Sequence, residues 1–326
     1  MLSRTAANLY WMARYIERAE NTARMLHIAN QKALLASARA MSASEWAQPL
    51  LITGRHAAYV ASGREIGAAA VTAYMALDPS NPASIHACLQ AARENARAAR
   101  STITSEMWEV VNTTWLGLRD FDEKVIRFRG AGRFLDWVKE RSHLFRGATF
   151  GTMLHDEAFR FNRLGTFVER GDNTVRILDV SYNALADDEE IPHAEYYHWT
   201  ALLRSVSALE AYRKVYRDHI DPERVAHFLL LDRQLPRSLM YCIHEVYMAL
   251  DSVIGNVSSP PVRTAMGLYA QLDTAEVHDL RSRDGALELQ PLLRRLDALA
   301  SQIGDTVFAP RRIGAPSPVG LMRGAA

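Results

Sequence analysis

The spacing of hydrophobic and polar residues indicates helix along almost the whole chain. Apolar residues recur every three or four positions, the period of an amphipathic helix, whereas alternating β-branched runs typical of strands are missing. The pattern therefore predicts an all-α, multi-helix bundle. Helices are expected at 3–40, 43–58, 62–77, 105–120, 132–153, 156–186, 194–218, 222–230, 236–255, 261–281 and 285–306, with another that Asn81 caps and Pro82 opens.

Breaks in this pattern indicate one helical domain. The stretch DDEEIP at 187–192 ends in a helix breaker and marks the midpoint, but it is too short for a linker between domains. Residues 1–308 are therefore predicted to form a single domain, with halves at roughly 1–150 and 151–308. Residues 309–326 are rich in proline, glycine and small residues, and this composition predicts a disordered tail.

The two halves share a repeated segment. ERAENTARML at 17–26 returns as ERGDNTVRIL at 169–178, with six of ten residues identical and a constant offset of 152. We interpret this as an internal pseudo-repeat of one long helix, at 9–28 and again at 161–180. Each copy has an apolar stripe that is expected to face the core. The stripes are Leu9, Met12, Ile16, Ala19, Ala23 and Leu26, and then Phe161, Leu164, Val168, Gly171, Val175 and Leu178.

A charged stripe runs nearly opposite each apolar one. It holds Tyr10, Arg14, Glu17, Asn21 and Arg24 in the first copy, and Glu169, Asn173 and Arg176 in the second. One interpretation is a solvated surface with helix-internal pairs at i,i+4 spacing, Glu20–Arg24 and Asp172–Arg176. In the other, the stripes converge across a pseudo-two-fold axis as a buried polar network, or as a pocket for a carboxylate-bearing or phosphorylated ligand. Recurrence of the same residue types favours the second.

Composition and charge exclude several classes of function. A formal net charge of +1 gives no overall field that would hold nucleic acid or an anionic membrane. The first 20 residues carry charges every few positions, and no run of about 18 apolar residues occurs. We therefore expect neither a signal peptide nor a transmembrane helix. The expected location is the cytoplasm. Cys88 and Cys242 lack metal-binding spacing and are expected to be buried free thiols.

The basic residues are mostly arginines, since only four of the 38 are lysines. A GC-rich genome alone produces such a bias. The functional alternative is that arginine forks bind carboxylate or phosphate through paired hydrogen bonds, so several of them would line a pocket for an anion. Arg93, Arg97 and Arg100 share one helical face, as do Arg213 and Arg217.

The opening block LSRTAANLYWMARYIERAENTARML at 2–26 resembles the opening signature of the bacterial alpha-E domain family. Blocks at 94–112, 145–179 and 209–239 also resemble the family, in the expected order. The resemblance implies a helical fold. By position it implicates, without assigned roles, Arg14, Glu17, Glu20, Arg24, Asn95, Arg97, Arg100, Asn112, His155, Glu169, Arg170, Arg213, Asp232 and Arg237. All of these except His155, together with Asn21, Asn173 and Arg176, are our candidate ligand-binding residues.

The same resemblance implies partners. Members of the family are frequently encoded beside a circularly permuted ATP-grasp protein, often with a transglutaminase-like or proteasome-like protease, a setting of bacterial peptide or amide-bond metabolism. The leading hypothesis is therefore an accessory or substrate-binding component of that ligase, which holds an anionic small molecule or peptide between the two repeat helices. Glu17 and Glu169 would orient an amine or the arginines that clamp the anion, namely Arg14, Arg24, Arg97 and Arg100.

Two enzyme hypotheses stand beside it. A stand-alone acid–base enzyme acting on an amide or ester would use Glu17, Glu169 or His155, although Asp156 beside His155 is equally suited to cap a helix. A ferritin-like di-metal protein would use Glu-x-x-His pairs with Glu17 and Glu169 as further carboxylates. Such pairs are Glu140–His143, Glu195–His198 and Glu190–His193. In a chain with 11 histidines this spacing arises by chance, so we assign no metal ligand. We also expect no cofactor, since neither a Walker loop nor a G-x-G-x-x-G loop occurs in the sequence.

Overall fold

A computed structural model of the chain describes residues 1–35, 43–185, 194–280 and 287–308. The described part contains fifteen α-helices, which confirms the all-α prediction. They are α1 (Ser3–Leu35), α2 (Ala43–Ile52), α3 (His56–Ala61), α4 (Ala68–Ala76), α5 (Ile85–Ala98), α6 (Ser105–Gly117), α7 (Glu123–Arg129), α8 (Gly132–Thr152), α9 (Glu157–Leu185), α10 (Ala194–Ser205), α11 (Leu209–Tyr216), α12 (Pro222–Leu230), α13 (Leu239–Ile254), α14 (Pro260–Thr274) and α15 (Gln290–Ile303). The predicted midpoint at 187–192 and the predicted tail at 309–326 lie outside the described residues.

The two longest helices, α1 and α9, form the centre of the bundle. Their lengths are 33 and 29 residues, and they pack along each other. On its other sides α1 packs against α5 and α8, and α9 packs against α13. Both predicted apolar stripes are buried, with Leu9, Met12 and Leu164 fully inaccessible to solvent. Removal of these side chains from water is the main force that holds the two long helices together.

The helices α5 and α13 have the same type of N-terminal cap and the same type of contact with a long helix. Ser84 caps α5 by accepting a hydrogen bond from the Ala87 N–H (3.1 Å), and Ser238 caps α13 in the same way. Threonines of the long helices then bind these starts, since Thr22 Oγ1 donates to the Ala83 carbonyl (3.5 Å) and Thr174 Oγ1 to the Arg237 carbonyl (2.8 Å). The start of α5 and the start of α13 are therefore bound by the same type of contact. The pseudo-repeat of the two complete halves remains a prediction.

Gly171, a member of the second apolar stripe, lets another helix approach α9 closely. A Cβ atom added at Gly171 of α9 would lie 3.2 Å from the Cβ of Cys242 in α13. That separation is tighter than ordinary van der Waals contact, so a larger residue would push α13 outward. Cys242 and Cys88 are both buried free thiols, as predicted.

The predicted cap at Asn81 is wrong. Asn81 Oδ1 accepts a hydrogen bond from the Ala83 N–H (3.0 Å), and Asn81 Nδ2 donates to the Tyr74 carbonyl (3.1 Å). Asparagine side chains close turns in this way as readily as they cap helices. Asn81 therefore fixes the turn before α5, and the helix starts three residues after Pro82, at Ile85.

Two predicted long helices are each broken in two. The segment 43–58 divides at Gly54, whose φ is +65°, and 194–218 divides at Ser207, whose φ is +52°. A residue in the left-handed region ends a right-handed helix, and glycine adopts it without steric cost. Within the described residues, no helix is both long and apolar enough to cross a membrane.

Candidate functional site

Two reciprocal ion pairs form the centre of the α1–α9 interface. Arg18 of α1 binds Glu169 of α9 through Nε (2.6 Å) and Nη2 (2.9 Å). Arg170 of α9 binds Glu17 of α1 through the same two nitrogens, at 2.8 Å and 2.9 Å. Each long helix thus supplies one Glu-Arg dipeptide, and each arginine grips the carboxylate of the other helix with a two-pronged fork. This geometry matches a planar guanidinium to a planar carboxylate.

Further arginines converge on the same two carboxylates. Arg14 Nε donates to Glu169 (2.8 Å), while Arg14 Nη1 donates to the Tyr10 hydroxyl (3.1 Å). On the other side, Glu17 also accepts from Arg237 Nη1 (3.2 Å) and Arg146 Nη1 (3.3 Å). Because Glu17 is only 1% exposed and Glu169 5%, these contacts take place away from bulk solvent.

A third carboxylate, Glu20, lies one turn along α1 from Glu17 and is fully buried. It accepts hydrogen bonds from Arg237 Nη2 (2.8 Å) and the Ser142 hydroxyl (2.6 Å). Arg24 Nε and Nη2 also bind it, at 2.8 Å and 2.7 Å, and Arg146 Nη1 completes its shell. The ion-pair cluster, as we name it, comprises Glu17, Glu20, Glu169, Arg14, Arg18, Arg24, Arg146, Arg170 and Arg237.

The arginines keep the buried carboxylates ionised. Burial acts to raise the pKa of Glu169, but Arg14 and Arg18 outweigh it and lower the pKa to about 2. For Glu17 burial acts in the same direction, and Arg170 and Arg237 again outweigh it and lower the pKa. Opposite charges at hydrogen-bond distance stabilise the charged form more than desolvation penalises it. The three glutamates are therefore carboxylates at neutral pH.

This geometry decides between the two interpretations of the charged stripe on α1. Glu17, Glu20 and Asn21 are buried, so the solvated-surface interpretation is wrong for this helix. Asn21 takes part in the same network, since its Oδ1 accepts a hydrogen bond from Arg237 Nη1 (3.0 Å). The predicted Glu20–Arg24 pair is present, although it is one part of a buried network. A charge buried in this way needs its partners, because the desolvation cost of an unpaired one is several kcal/mol.

Beyond Glu169, the charged stripe on α9 is more exposed to solvent. Arg176 Nε pairs with Asp172 (2.9 Å), which confirms the predicted i,i+4 pair, and Arg176 Nη2 reaches Asp297 (3.3 Å). Asn173 is half-buried. Burial raises the pKa of Asp172 despite the pull of Arg176. Asp172, which aligns with Glu20 in the repeated sequence segment, therefore has one arginine partner where Glu20 has three.

Six other candidates lie apart from the ion-pair cluster. Arg97, Arg100 and Arg213 are exposed; Arg97 pairs with Glu94 (2.7 Å), and the guanidinium of Arg100 lies over the Trp108 ring. Among the described residues, none of the six forms a hydrogen bond or ion pair with the cluster. The structure therefore does not gather Arg97 and Arg100 with Arg14 and Arg24 into one clamp. The remaining three bind locally: Asn95 to the Ala91 carbonyl, Asn112 to Arg93, and Asp232 to the N–H groups of Gln234 and Leu235.

The histidine proposed as an acid or base sits at the surface. His155 is exposed, and its ring stacks on Phe159 at a centroid distance of 4.0 Å. Beside it, Asp156 Oδ1 accepts hydrogen bonds from the N–H groups of Ala158 (2.9 Å) and Phe159 (3.2 Å). Asp156 therefore caps α9, as the capping alternative predicts, and His155 precedes the cap.

The arrangement does not fit a di-metal centre. Glu17 and Glu169, the extra carboxylates such a centre would need, already bind arginines. His143 Nε2 lies 3.2 Å from Arg24 Nη2, so a metal ion bound to His143 would have to displace the Arg24 guanidinium. In the described part of the chain, no group of three or more His, Cys, Asp or Glu side chains is placed to hold a metal ion. Glu190, His193 and the side chain of Glu195 lie outside the described residues.

Sequence reasoning missed three members of the site. Arg18 was available, because it stands in the repeated segment at the position of Arg170 and forms the matching fork. Arg146 and Ser142 come from α8 and reach Glu20 across more than 120 positions of sequence. No periodicity within one helix marks such contacts, since they depend on how α8 packs against α1.

Comparison with known proteins identifies the class to which this fold and cluster belong. The family model of the Alpha-E domain, described as a predicted alpha-helical domain with a conserved ER motif, matches residues 1–309. The chain belongs to the Alpha-E family. Glu-Arg dipeptides stand at 17–18 and 169–170, where the two reciprocal ion pairs lie.

The curated relatives are longer than this chain. An uncharacterised protein of Mycobacterium tuberculosis and one of Mycobacterium bovis are each 23% identical to it over 94% of its length. The matched region makes up 36% of each relative, so the chain spans about a third of their length. No solved structure matches the chain significantly.

Proposed function

We propose that the protein acts by binding, as an accessory component of a circularly permuted ATP-grasp ligase in bacterial peptide or amide-bond metabolism. The observation that carries this proposal is the pairing of all three buried glutamates with arginines. A general acid or base for neutral pH needs a pKa near 7, which burial away from cations produces. Here the pKa of Glu169 is about 2, so at neutral pH it is ionised, has no proton to donate and accepts one poorly. The cluster fixes two long helices in one geometry, as a binding scaffold requires.

The length of the relatives supports a role beside another polypeptide. In the mycobacterial proteins the matched region is 36% of the chain, so a similar region is joined there to a larger amount of other sequence. Covalent linkage raises the effective concentration of one module at another, and this benefits modules that work in contact. An ATP-grasp protein is the partner that the family resemblance implies, with a transglutaminase-like protein as a second one.

The ligand in this proposal is an anionic peptide or amino-acid group that the ligase activates or receives. Arginine-rich surroundings favour it, because a guanidinium binds carboxylate in two parallel hydrogen bonds. We place the ligand outside the α1–α9 interface, since ion pairs fill that interface. It requires a cavity beside the cluster.

A co-purification experiment tests the partnership. The chain and the circularly permuted ATP-grasp protein of the same genome are expressed together, and complex formation is measured by size-exclusion chromatography. ADP release by the ligase in an amino-acid mixture is then followed with and without the chain. We expect a complex and a changed rate, and no change with chain that has been heat-unfolded. Absence of a complex together with an unchanged rate would overturn the proposal.

A second assay tests the rival enzyme hypothesis. The purified chain alone is incubated with amide and ester substrates, and product formation is compared with that of Glu17→Gln. We expect no turnover by either protein. Turnover by the natural chain that disappears in Glu17→Gln, while the helical circular dichroism signal is unchanged, would establish the acid–base enzyme.

A further inference from the structure

A cavity of about 190 Å³ lies beside the ion-pair cluster, where α8, α9 and the start of α13 meet. Its polar wall includes Arg146, Arg163, Arg170 and Asn162. Its apolar wall is formed by Phe150, Phe167 and Tyr241, and Phe150 is half-exposed, so the cavity opens to solvent on that side. For comparison, a cavity of about 150 Å³ lined by aliphatic and aromatic side chains holds a benzene molecule. The space therefore fits one small organic molecule.

A donor without a partner stands in the polar wall. Asn162 is 3% exposed, and its Nδ2 forms no hydrogen bond to any described residue. Buried side-chain donors nearly always find an acceptor, since leaving one unpaired costs the full desolvation penalty of the group. Asn162 Nδ2 is therefore a donor that remains available to an acceptor from outside the chain.

Arg146 also has donors to spare. Its hydrogen bonds to Glu17, Glu20 and Ser142 all come from Nη1, which leaves Nε and Nη2 without a hydrogen bond to any described residue. The other two arginines of the wall are already satisfied by carboxylates, Arg170 by Glu17 and Arg163 by Glu245. Among the residues that line the cavity, the donors without a hydrogen bond thus include those of the Arg146 guanidinium and the Asn162 amide.

In the part of the ion-pair cluster that contains Glu17 and Glu20, the charges are unbalanced. Four guanidinium groups, those of Arg24, Arg146, Arg170 and Arg237, meet only two carboxylates, those of Glu17 and Glu20. Two positive charges remain in surroundings where charge is expensive. Burial lowers the pKa of Arg237 to about 10, although Glu17 and Glu20 act to raise it. An added anion would offset the imbalance.

We propose that this cavity binds a small monocarboxylate that carries an aromatic or compact apolar group. One carboxylate oxygen would accept from the free nitrogens of Arg146 and the other from Asn162 Nδ2, while the apolar group would pack on Phe150, Phe167 and Tyr241. The inference refines the ligand of the binding role proposed above, but it does not depend on the ligase. Arg163, which lies 4.7 Å and 5.0 Å from the Phe167 and Phe150 ring centroids, holds that aromatic wall in place.

Isothermal titration calorimetry with matched probes tests the site on the purified full chain. Benzoate and benzamide have nearly the same shape and differ in charge, so their comparison isolates the carboxylate. We expect benzoate to bind and benzamide to bind at least about tenfold more weakly, as hydrogen bonds to charged groups imply. Equal affinity of the two, or no benzoate binding up to about 10 mM, would overturn the proposal. Tighter binding of phenyl phosphate than of benzoate would overturn the choice of a carboxylate.

Variants locate the probe. Asn162→Leu removes the unpaired donor at similar volume, so it should fold at least as well as the natural chain and weaken benzoate by about tenfold. Asn183→Leu is the matched control, because Asn183 is exposed on the same helix outside the cavity, and it should leave the affinity unchanged. Equal affinities for all three chains would rule out this cavity. Arg146→Gln gives a second measurement of benzoate affinity, and circular dichroism checks that this variant is folded.

The two proposals fail in different ways. Loss of benzoate binding in Asn162→Leu with no ligase complex would leave the cavity assignment standing and remove the partnership. A ligase complex without carboxylate binding would do the reverse.

Discussion

Gly165 of α9 lies directly against the backbone of Tyr10 in α1. A Cβ atom added at Gly165 would be 2.1 Å from the Tyr10 carbonyl oxygen and 3.2 Å from the Ala13 Cβ. The obstacle at Tyr10 is backbone, so no side-chain rotation relieves it. The two long helices therefore reach the separation that their reciprocal ion pairs need only because this position has no side chain.

We predict that Gly165→Ala destabilises the fold by about 2 kcal/mol or more, because overpacking forces the helices apart and strains the ion pairs. Urea unfolding followed by circular dichroism measures the change. Gly147→Ala on α8 is the control, since nothing lies within 4 Å of its added Cβ. That control should stabilise the protein by about 0.5–1 kcal/mol through helix propensity. Equal effects of the two substitutions would contradict the close approach.

Neutralising one carboxylate of the cluster is expected to be costly. Glu17→Gln leaves Arg170 and Arg237 buried without a full counter-charge, and we predict a loss of about 3–5 kcal/mol in the free energy of unfolding. The comparison is Glu94→Gln, which breaks the surface pair of Glu94 with Arg97 and should change stability by less than about 1 kcal/mol. A loss below about 1 kcal/mol for Glu17→Gln would mean that the buried pairing contributes little.

Acid should unfold the protein in a defined range of pH. The pKa of Glu169 is lowered from 4.5 to about 2, since Arg14 and Arg18 outweigh burial, so its contribution is complete above pH 4.5 and disappears as the pH falls toward 2. For this group alone the loss is about 3 kcal/mol. Asp172 acts in the opposite sense, because burial raises its pKa. Urea unfolding at a series of pH values should show this decline for the natural chain and a shallower one for Glu169→Gln.

The two cysteines are expected to be inert in the native protein. Burial raises the pKa of both Cys88 and Cys242 to about 12, so almost no thiolate is present at neutral pH. Ellman's reagent should therefore label neither thiol in native buffer and both in urea. Labelling of the native chain within minutes would show that α5 or α13 opens from the long helices.

The sequence predicted the core faces of α1 and α9 well, because burial of an apolar stripe depends on the period of one helix. Leu9, Met12 and Leu178 were placed correctly for that reason. Helix ends were harder, since they depend on single residues. Ser207 adopts a positive φ without the glycine that usually marks such a break, and Asn81 has two competing uses for its side chain.

The sequence predicted several residues of the site, but it did not predict which arginine pairs with which glutamate. Glu17, Arg170 and Arg237 were all among the candidates, because the repeated segment and the family resemblance point to them. Which arginine binds which glutamate depends on the crossing of α1 with α9 and on the approach of α8. Arg146 and Asn162 stand on no charged stripe of the repeat, so only the packed structure brings them to the cavity.

The reciprocal forks also constrain how the chain matures during synthesis. Arg18 and Glu17 emerge from the ribosome 151 and 153 residues before Glu169 and Arg170, the groups that bind them. At ordinary translation speeds that interval is about 8–30 s. Throughout it Arg18 lacks the Glu169 carboxylate that binds it in the folded protein, so water must hydrate this face of the first long helix. Completion of the core is thereby deferred until the second long helix has been made, and both halves then close together.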